Sequence, residues 1–183
     1  GAWQAIGDPT EAALLVAAKK AKLALPGEDP KPLFEIPFDP QRKSMSILLS
    51  FDNGRCIVVS KGAAEPLLDR CTRELIGGHA RPLTAERKAA LIAMNASMAE
   101  RALRVLGLAY RDASPDDRSG KLEHDLIFVG LVGMMDPPRT EAKIAVAQCR
   151  TAGIKPVMIT GDHPSTARAI GSEIGIIQEG DDV

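Results

Sequence analysis

Thr160, Gly161 and Asp162 stand between "KPVMIT", a buried-strand pattern, and "PSTARAIGSEIG", a helix pattern. A hydroxyl, a glycine and a carboxylate at a strand's C-terminal end, facing helix-terminal N–H groups, are the chemistry of an anion site. Asp162 complicates it, because a carboxylate repels phosphate unless Mg2+ or hydrogen bonds intervene. As a plain N-cap, Asp162 needs no ligand at all. No nucleophile accompanies the trio.

Four other stretches carry groups of related kind. In "GDPTEAAL", Glu11 follows Asp8 by three residues, the spacing of a capping box, which explains it without a ligand. In "PFDPQRKSMS", Phe38 precedes Arg42 and Lys43, and the chain has only four Phe, one Tyr and one Trp. An aromatic beside two cations is a base-stacking platform with phosphate-seeking charges. A core Phe with solvated basic neighbours is the alternative. "VVSKGAAE" puts Lys61 directly after a strand, with Gly62 allowing close backbone approach, although surface lysines at strand ends are common. Arg104 begins "LRVLGLAYR", where an inward guanidinium forks onto phosphate and an outward one meets water. Singly, none of these decides for a ligand. "DDRSGKL" lacks the Walker glycine and a Ser/Thr after Lys121, and Gly171 with Gly175 does not complete GxGxxG, so neither a P-loop nor a dinucleotide fold is indicated.

The elements that must position these groups fall into two patterns. "AWQAIG" suggests a short strand. A helix then starts at Asp8 as N-cap with Pro9 in its first turn, and Lys19, Lys20 and Lys22 suit its C-terminal dipole. "LPGEDPKP" is a loop, followed by strands "LFEIPF", "KSMSILLSF" and "RCIVVS", the last two flanking Asp52-Asn53-Gly54, a hairpin signal. A helix around "AAEPLLDRC" precedes a longer one from Thr84 to about Arg101, with Leu91, Met94 and Met98 at helical spacing. From residue 126 the order reads β-α-β-α: "LIFVGLVGMM" and "IKPVMIT" as buried strands, "RTEAKIAVAQCRTAG" and "PSTARAIGSEIG" as helices. That order predicts a parallel sheet. The expected fold is therefore an α+β domain over residues 1–125, an antiparallel sheet with packed helices, followed by an α/β segment over 126–183.

Composition narrows the partners. Net charge is −1, with 45% hydrophobic and 26% charged residues. That suits a soluble globular chain and gives no electrostatic case for nucleic acid. Cys56, Cys71 and Cys149 form no CxxC pair and read as small buried residues in a reducing compartment. No metal-ligand spacing stands out, and the longest apolar run falls short of the roughly 20 residues that span a bilayer.

Together and in order, "GDPTEAAL", "FDPQRKSMS", "KGAAE", "DPPR" (Asp136–Arg139) and "MITGDHPSTARAIG" resemble the signatures of the P-type cation-transporting ATPases. The match spans residues 7 to 176 and is nearest in style to the type II, calcium-pump-like members. The resemblance implies a nucleotide-binding domain to about residue 125, then part of a haloacid-dehalogenase-like phosphorylation domain. Phe38 would stack on adenine and Glu11 would contact the adenine edge or its loop. Lys43 and Lys61 would line the pocket, Gly62 would give room, and Arg104 would reach the phosphates. Calcium pumps often carry arginine where this chain has Pro40, a phosphate contact missing here or replaced by Arg42. Thr160 and Gly161 would hold the transferred phosphoryl group, and Asp162 would organise the nucleotide and Mg2+ region.

In the full-length protein, ATP would phosphorylate an aspartate and drive ion transport, with Ca2+ as the expected cargo and a place on the cytoplasmic side of a membrane. The partners implied are the remaining phosphorylation, actuator and transmembrane domains of the same pump. "DKTGT" and "GDGxND" do not occur in these 183 residues, so the chain is expected to bind nucleotide without turnover. A small phosphatase of the haloacid-dehalogenase class is the alternative, opposed by the lack of a strand-end Asp-x-Asp. A non-catalytic nucleotide-binding or regulatory module is another.

Overall fold

In the computed structural model, the structure describes residues 8–23, 30–101, 103–117, 122–135, 138–160 and 164–177. "AWQAIG" lies outside them. Helix α1 (Pro9–Lys20) precedes three antiparallel strands, β1 (Lys31–Asp39), β2 (Ser44–Ser50) and β3 (Cys56–Gly62). A short helix α2 (Ala64–Leu68) leads to a hairpin of β4 (Cys71–Ile76) and β5 (His79–Pro82). Helix α3 (Ala85–Glu100), strand β6 (Arg104–Ala113) and strand β7 (Leu126–Met134) follow. Helices α4 (Thr140–Thr151) and α5 (Pro164–Glu173) close the described chain.

Turn and cap chemistry explains where these elements begin and end. Asp8 and Thr84 cap α1 and α3 as expected, each accepting backbone N–H bonds of the first turn. The β2–β3 turn follows its sequence signal. Gly54 sits at φ 80, and the Asn53 side chain accepts the Arg55 N–H at 2.9 Å.

The seven strands form one sheet in the order β1-β2-β3-β6-β7-β4-β5. Every pairing is antiparallel except β4 with β7. β7 was expected to open a separate parallel sheet. It instead lies between β6 and β4, so the α+β sheet runs past residue 125. The start of its apolar run is explained by burial inside this sheet: Leu126, Ile127 and Phe128 are all under 5% exposed, whereas Val129 is 44% exposed.

Burial alternates along β2 and β3, placing Ser44, Ser46, Leu48, Cys56, Val58 and Ser60 on one face. Part of that face packs with α2 and α3 in a core of Leu67, Leu68, Cys71, Leu91, Ala109, Leu126 and Phe128. A second cluster joins Leu48, Cys56 and Val58 to Leu122. Of the α3 positions predicted inward, Leu91 is buried and Met94 is half exposed. Burial pushes the Cys71 thiol up to about 12 against weaker pulls from Lys88 and Arg70, which leaves it a poor nucleophile at neutral pH.

Residues 154–160, "IKPVMIT", do not form the predicted buried strand. They carry no strand pairing, and Ile154, Val157 and Ile159 are 59%, 74% and 95% exposed. A buried parallel strand needs neighbours on both edges, and among the described residues none pairs with it. Hydrogen exchange by mass spectrometry is expected to find the amides of residues 155–159 exchanging fast while those of Leu126–Phe128 stay protected. Equal protection of the two segments contradicts this arrangement.

Candidate functional site

The site is built at the end of the sheet where β3 and β6 meet α1. Asp8 accepts the backbone N–H groups of Thr10 at 2.8 Å and Glu11 at 3.3 Å, fixing the start of α1. Its carboxyl is held below the ordinary range first by the Thr10 backbone and hydroxyl, then by the Glu11 N–H, with a smaller pull from Arg104. One turn along, Glu11 pairs with Lys61 of β3. The Lys61 side chain is 19% exposed and that of Glu11 53%. The capping spacing of Glu11 is thus used for N-terminal chemistry by Asp8, while the Glu11 carboxylate reaches across the sheet.

The strand register sets the neighbours. Met45, Lys61 and Leu108 are paired across β2, β3 and β6, on the sheet face opposite Ser44 and Ser60. Phe38 lies in the irregular stretch of β1 between the paired positions Ile36 and Asp39. It is 62% exposed, which removes the reading of Phe38 as a core residue.

Lys43 closes the turn between β1 and β2 at φ 52. Its carbonyl accepts the Ala63 N–H at 2.9 Å, so the turn is tied to the end of β3. Gly62 serves that tie. A Cβ there would land on the Lys43 carbonyl oxygen and 2.8 Å from Ser44 Cα. The close approach that glycine permits is made by the protein's own backbone.

Arg42 does not present its guanidinium as a phosphate contact. One terminal nitrogen donates to Glu123 Oε1 at 2.7 Å and the other to the Pro37 carbonyl at 2.6 Å. A guanidinium so occupied by a carboxylate has little to offer a phosphate. Glu123 is the residue that sequence reasoning missed. Its side chain is 9% exposed. It also accepts from Ser46 Oγ at 2.7 Å, Ser44 Oγ at 3.2 Å and Arg70 at 2.8 Å. Burial would raise its pKa, but the Ser46 hydrogen bond with Arg42 and Arg70 outweighs burial and holds it below the ordinary value. Nothing in "KLEHDL" signals this role, because every partner lies at least fifty residues away in sequence.

Glu11 and Lys61 are thus brought together at α1, and Arg104 stands at the start of the neighbouring strand β6. Lys43, Gly62 and Arg42 belong to the adjoining turn, beside Phe38. Thr160 is exposed at the end of the 154–160 stretch, while Gly161 and Asp162 lie outside the described residues. Among the described residues no group of three His, Cys, Asp or Glu side chains is placed to hold a metal ion. No helix among them is long and apolar enough to cross a membrane. A cavity of about 450 Å3 between α2 and α3 takes in Lys43 but no other predicted site residue. Its Glu65 and Asp69 carboxylates make it unsuited to phosphate.

Fold and site together define an α+β domain with paired charges and an exposed aromatic at one end of its sheet. Residues 1–141 match the family described as "P-type ATPase, cytoplasmic domain N", and the chain belongs to that family. It is 41% identical to calcium-transporting ATPase 1 of Lactococcus lactis, over 97% of this chain and 21% of that protein. It is 42% identical to the cation-transporting ATPase pma1 of Synechocystis, over 99% and 20%. It is 38% identical to the sodium/potassium-transporting ATPase subunit alpha of Tetronarce californica, over 96% and 19%. The chain spans about a fifth of the length of these curated relatives.

Proposed function

We propose that this domain binds ATP at the rim where α1 meets the ends of β3 and β6. Phe38 stacks on adenine, Glu11 borders it, and Lys43, Lys61 and Arg104 draw the phosphates. The observation that supports this best is the Glu11–Lys61 pair, which joins residues of two separate motifs fifty positions apart. A half-buried lysine already neutralised by a carboxylate can exchange that anion for a phosphate, and the Glu11 carboxylate is then released towards the base.

Titration calorimetry of the 183-residue chain with ATP tests the reading. Phe38→Ala is expected to weaken binding about five- to 150-fold, the range of a lost base–aromatic stack of about 1–3 kcal/mol. An unmoved affinity sinks the stacking role. No binding at all by the unaltered chain would favour a regulatory module that kept the fold and lost the ligand.

Within a longer protein, the domain would supply ATP to an aspartate outside these residues, forming an aspartyl phosphate coupled to cation transport. Residues 138–177 would then belong to a haloacid-dehalogenase-like phosphorylation domain, with Thr160, Gly161 and Asp162 at the phosphoryl group. Ca2+ is the proposed cargo on the names of relatives such as the Lactococcus protein. Uptake of radiolabelled calcium by vesicles carrying the full-length protein is the test. The chain alone is expected to show no sustained ATP hydrolysis. Turnover abolished by Lys61→Ala would contradict that.

A further inference from the structure

We infer that Glu123 is a positioning residue for the adenine platform, acting through Arg42 on the backbone that carries Phe38. The inference rests on the nucleotide reading above and adds to it a residue outside the pocket.

Phe38 is an exposed aromatic on an irregular stretch of an edge strand. Regular β pairing alone does not hold it, because the register shifts between Ile36 and Asp39. The stretch is instead clamped at both of its neighbours. On one side, the Pro37 carbonyl accepts an Arg42 N–H at 2.6 Å. On the other, Asp39 Oδ1 accepts the Gln41 and Arg42 backbone N–H groups at 2.9 and 2.8 Å, and the Asp39 carbonyl accepts the Lys43 N–H at 2.7 Å.

The first clamp depends on where the Arg42 guanidinium points, and Glu123 decides that. Its Oε1 takes one Arg42 nitrogen while the other faces Pro37. The carboxylate is itself fixed by Arg70 on its other oxygen, Oε2, and by the Ser44 and Ser46 hydroxyls, which donate to Oε1 beside Arg42. Leu122, fully buried in the second apolar cluster, anchors the segment that delivers it. Without the carboxylate, an arginine side chain has several rotamers and no reason to remain under Pro37. Phe38 would then have to be ordered by the nucleotide itself, and ordering a side chain on binding lowers affinity about three- to tenfold.

The chemistry distinguishes this from a phosphate contact. A residue acting through Phe38 should weaken ATP, ADP and AMP by the same factor. A residue acting on the phosphates should weaken ATP most.

The test is titration of ATP, ADP and AMP into the 183-residue chain and its Glu123→Gln, Arg42→Lys and Phe38→Ala variants. Melting temperatures confirm that each is folded. Glu123→Gln and Arg42→Lys are each expected to weaken all three nucleotides alike, about three- to tenfold. Glu123→Gln added to Phe38→Ala should cost nothing further, whereas general loosening would cost the same in both backgrounds. Arg42→Lys keeps the charge and loses the fork, so it serves if Glu123→Gln does not fold.

If Phe38→Ala weakens binding while folded Glu123→Gln and Arg42→Lys do not, the positioning role is wrong and the nucleotide reading stands. A loss graded by phosphate number, or one that persists undiminished in the Phe38→Ala background, also overturns the role. If the unaltered chain binds none of the three, both readings fall.

Discussion

A chain cut after Asp125 is expected to lose its cooperative unfolding transition, whereas one cut after Arg139 keeps it. Among the described residues, strand β7 is what joins β6 to the β4–β5 hairpin within the sheet. Removing it exposes an edge on each side and detaches the hairpin from the sheet. Leu126, Ile127 and Phe128 are 0%, 4% and 2% exposed, and two of them belong to the main core cluster. Burying each such side chain contributes about 1.5–3 kcal/mol. Three of them together rival the roughly 5–15 kcal/mol that holds a whole domain folded. By contrast, neither core cluster nor any residue packed against it lies beyond Leu131, so ending at Arg139 spares both. Urea denaturation followed by circular dichroism measures the difference. A cooperative transition of unchanged midpoint in the shorter chain would show that β7 is not integral to the domain. In chain order, the seven-stranded sheet ends with β7.

What the sequence makes legible follows from the range of the forces involved. The β2–β3 hairpin is legible because turn chemistry at Asn53-Gly54 and alternating burial on both sides are local. The helix caps at Asp8 and Thr84 are legible for the same reason. The β4–β5 hairpin is not. "CTRELIGGHARP" mixes charge with apolar residues, and β5 is exposed along its whole length. Its one cue is Gly77-Gly78, both at positive φ. "IKPVMIT" misleads in the opposite direction. Its apolar run signals a strand that wants covering on both faces, but a run of residues cannot say whether the covering chain is at hand.

The site divides the same way. Glu11, Lys61 and Phe38 stand out as unlike groups at element ends, where ligands are met. Arg42 stands out equally and is misread, because a guanidinium suits a carboxylate as well as a phosphate. Which one it finds depends on Glu123, 81 residues away.

Glu123→Ala is expected to lower the unfolding free energy by about 3–5 kcal/mol, the range for breaking a buried ion pair from one side. The loss exceeds the value of the pair itself. Taking away the carboxylate leaves the Arg42 and Arg70 guanidiniums, 30% and 22% exposed, without their shared counter-charge. The buried Ser46 hydroxyl also loses an acceptor, though it keeps Ser60 at 2.7 Å.

The pH dependence identifies the charge as the cause. The folded-state pKa of Glu123 lies below the ordinary 4.5, so between those two values the unfolded chain binds the extra proton. Unfolding free energy must then rise with pH across that window. The stabilisation is fully present above pH 4.5 and is lost as pH falls through the folded value. Glu123→Gln cannot titrate, so it should be less stable than the unaltered chain at pH 7 and show a shallower fall on acidification. Urea midpoints taken at pH 7 and in steps below 4.5 decide it. Parallel acid limbs in the two proteins would mean that burial of Glu123 cancels the combined pull of the Ser46 hydrogen bond and the two arginines on its carboxylate. The two arginines would then contribute geometry to the turn beneath Phe38, and no net charge stabilisation.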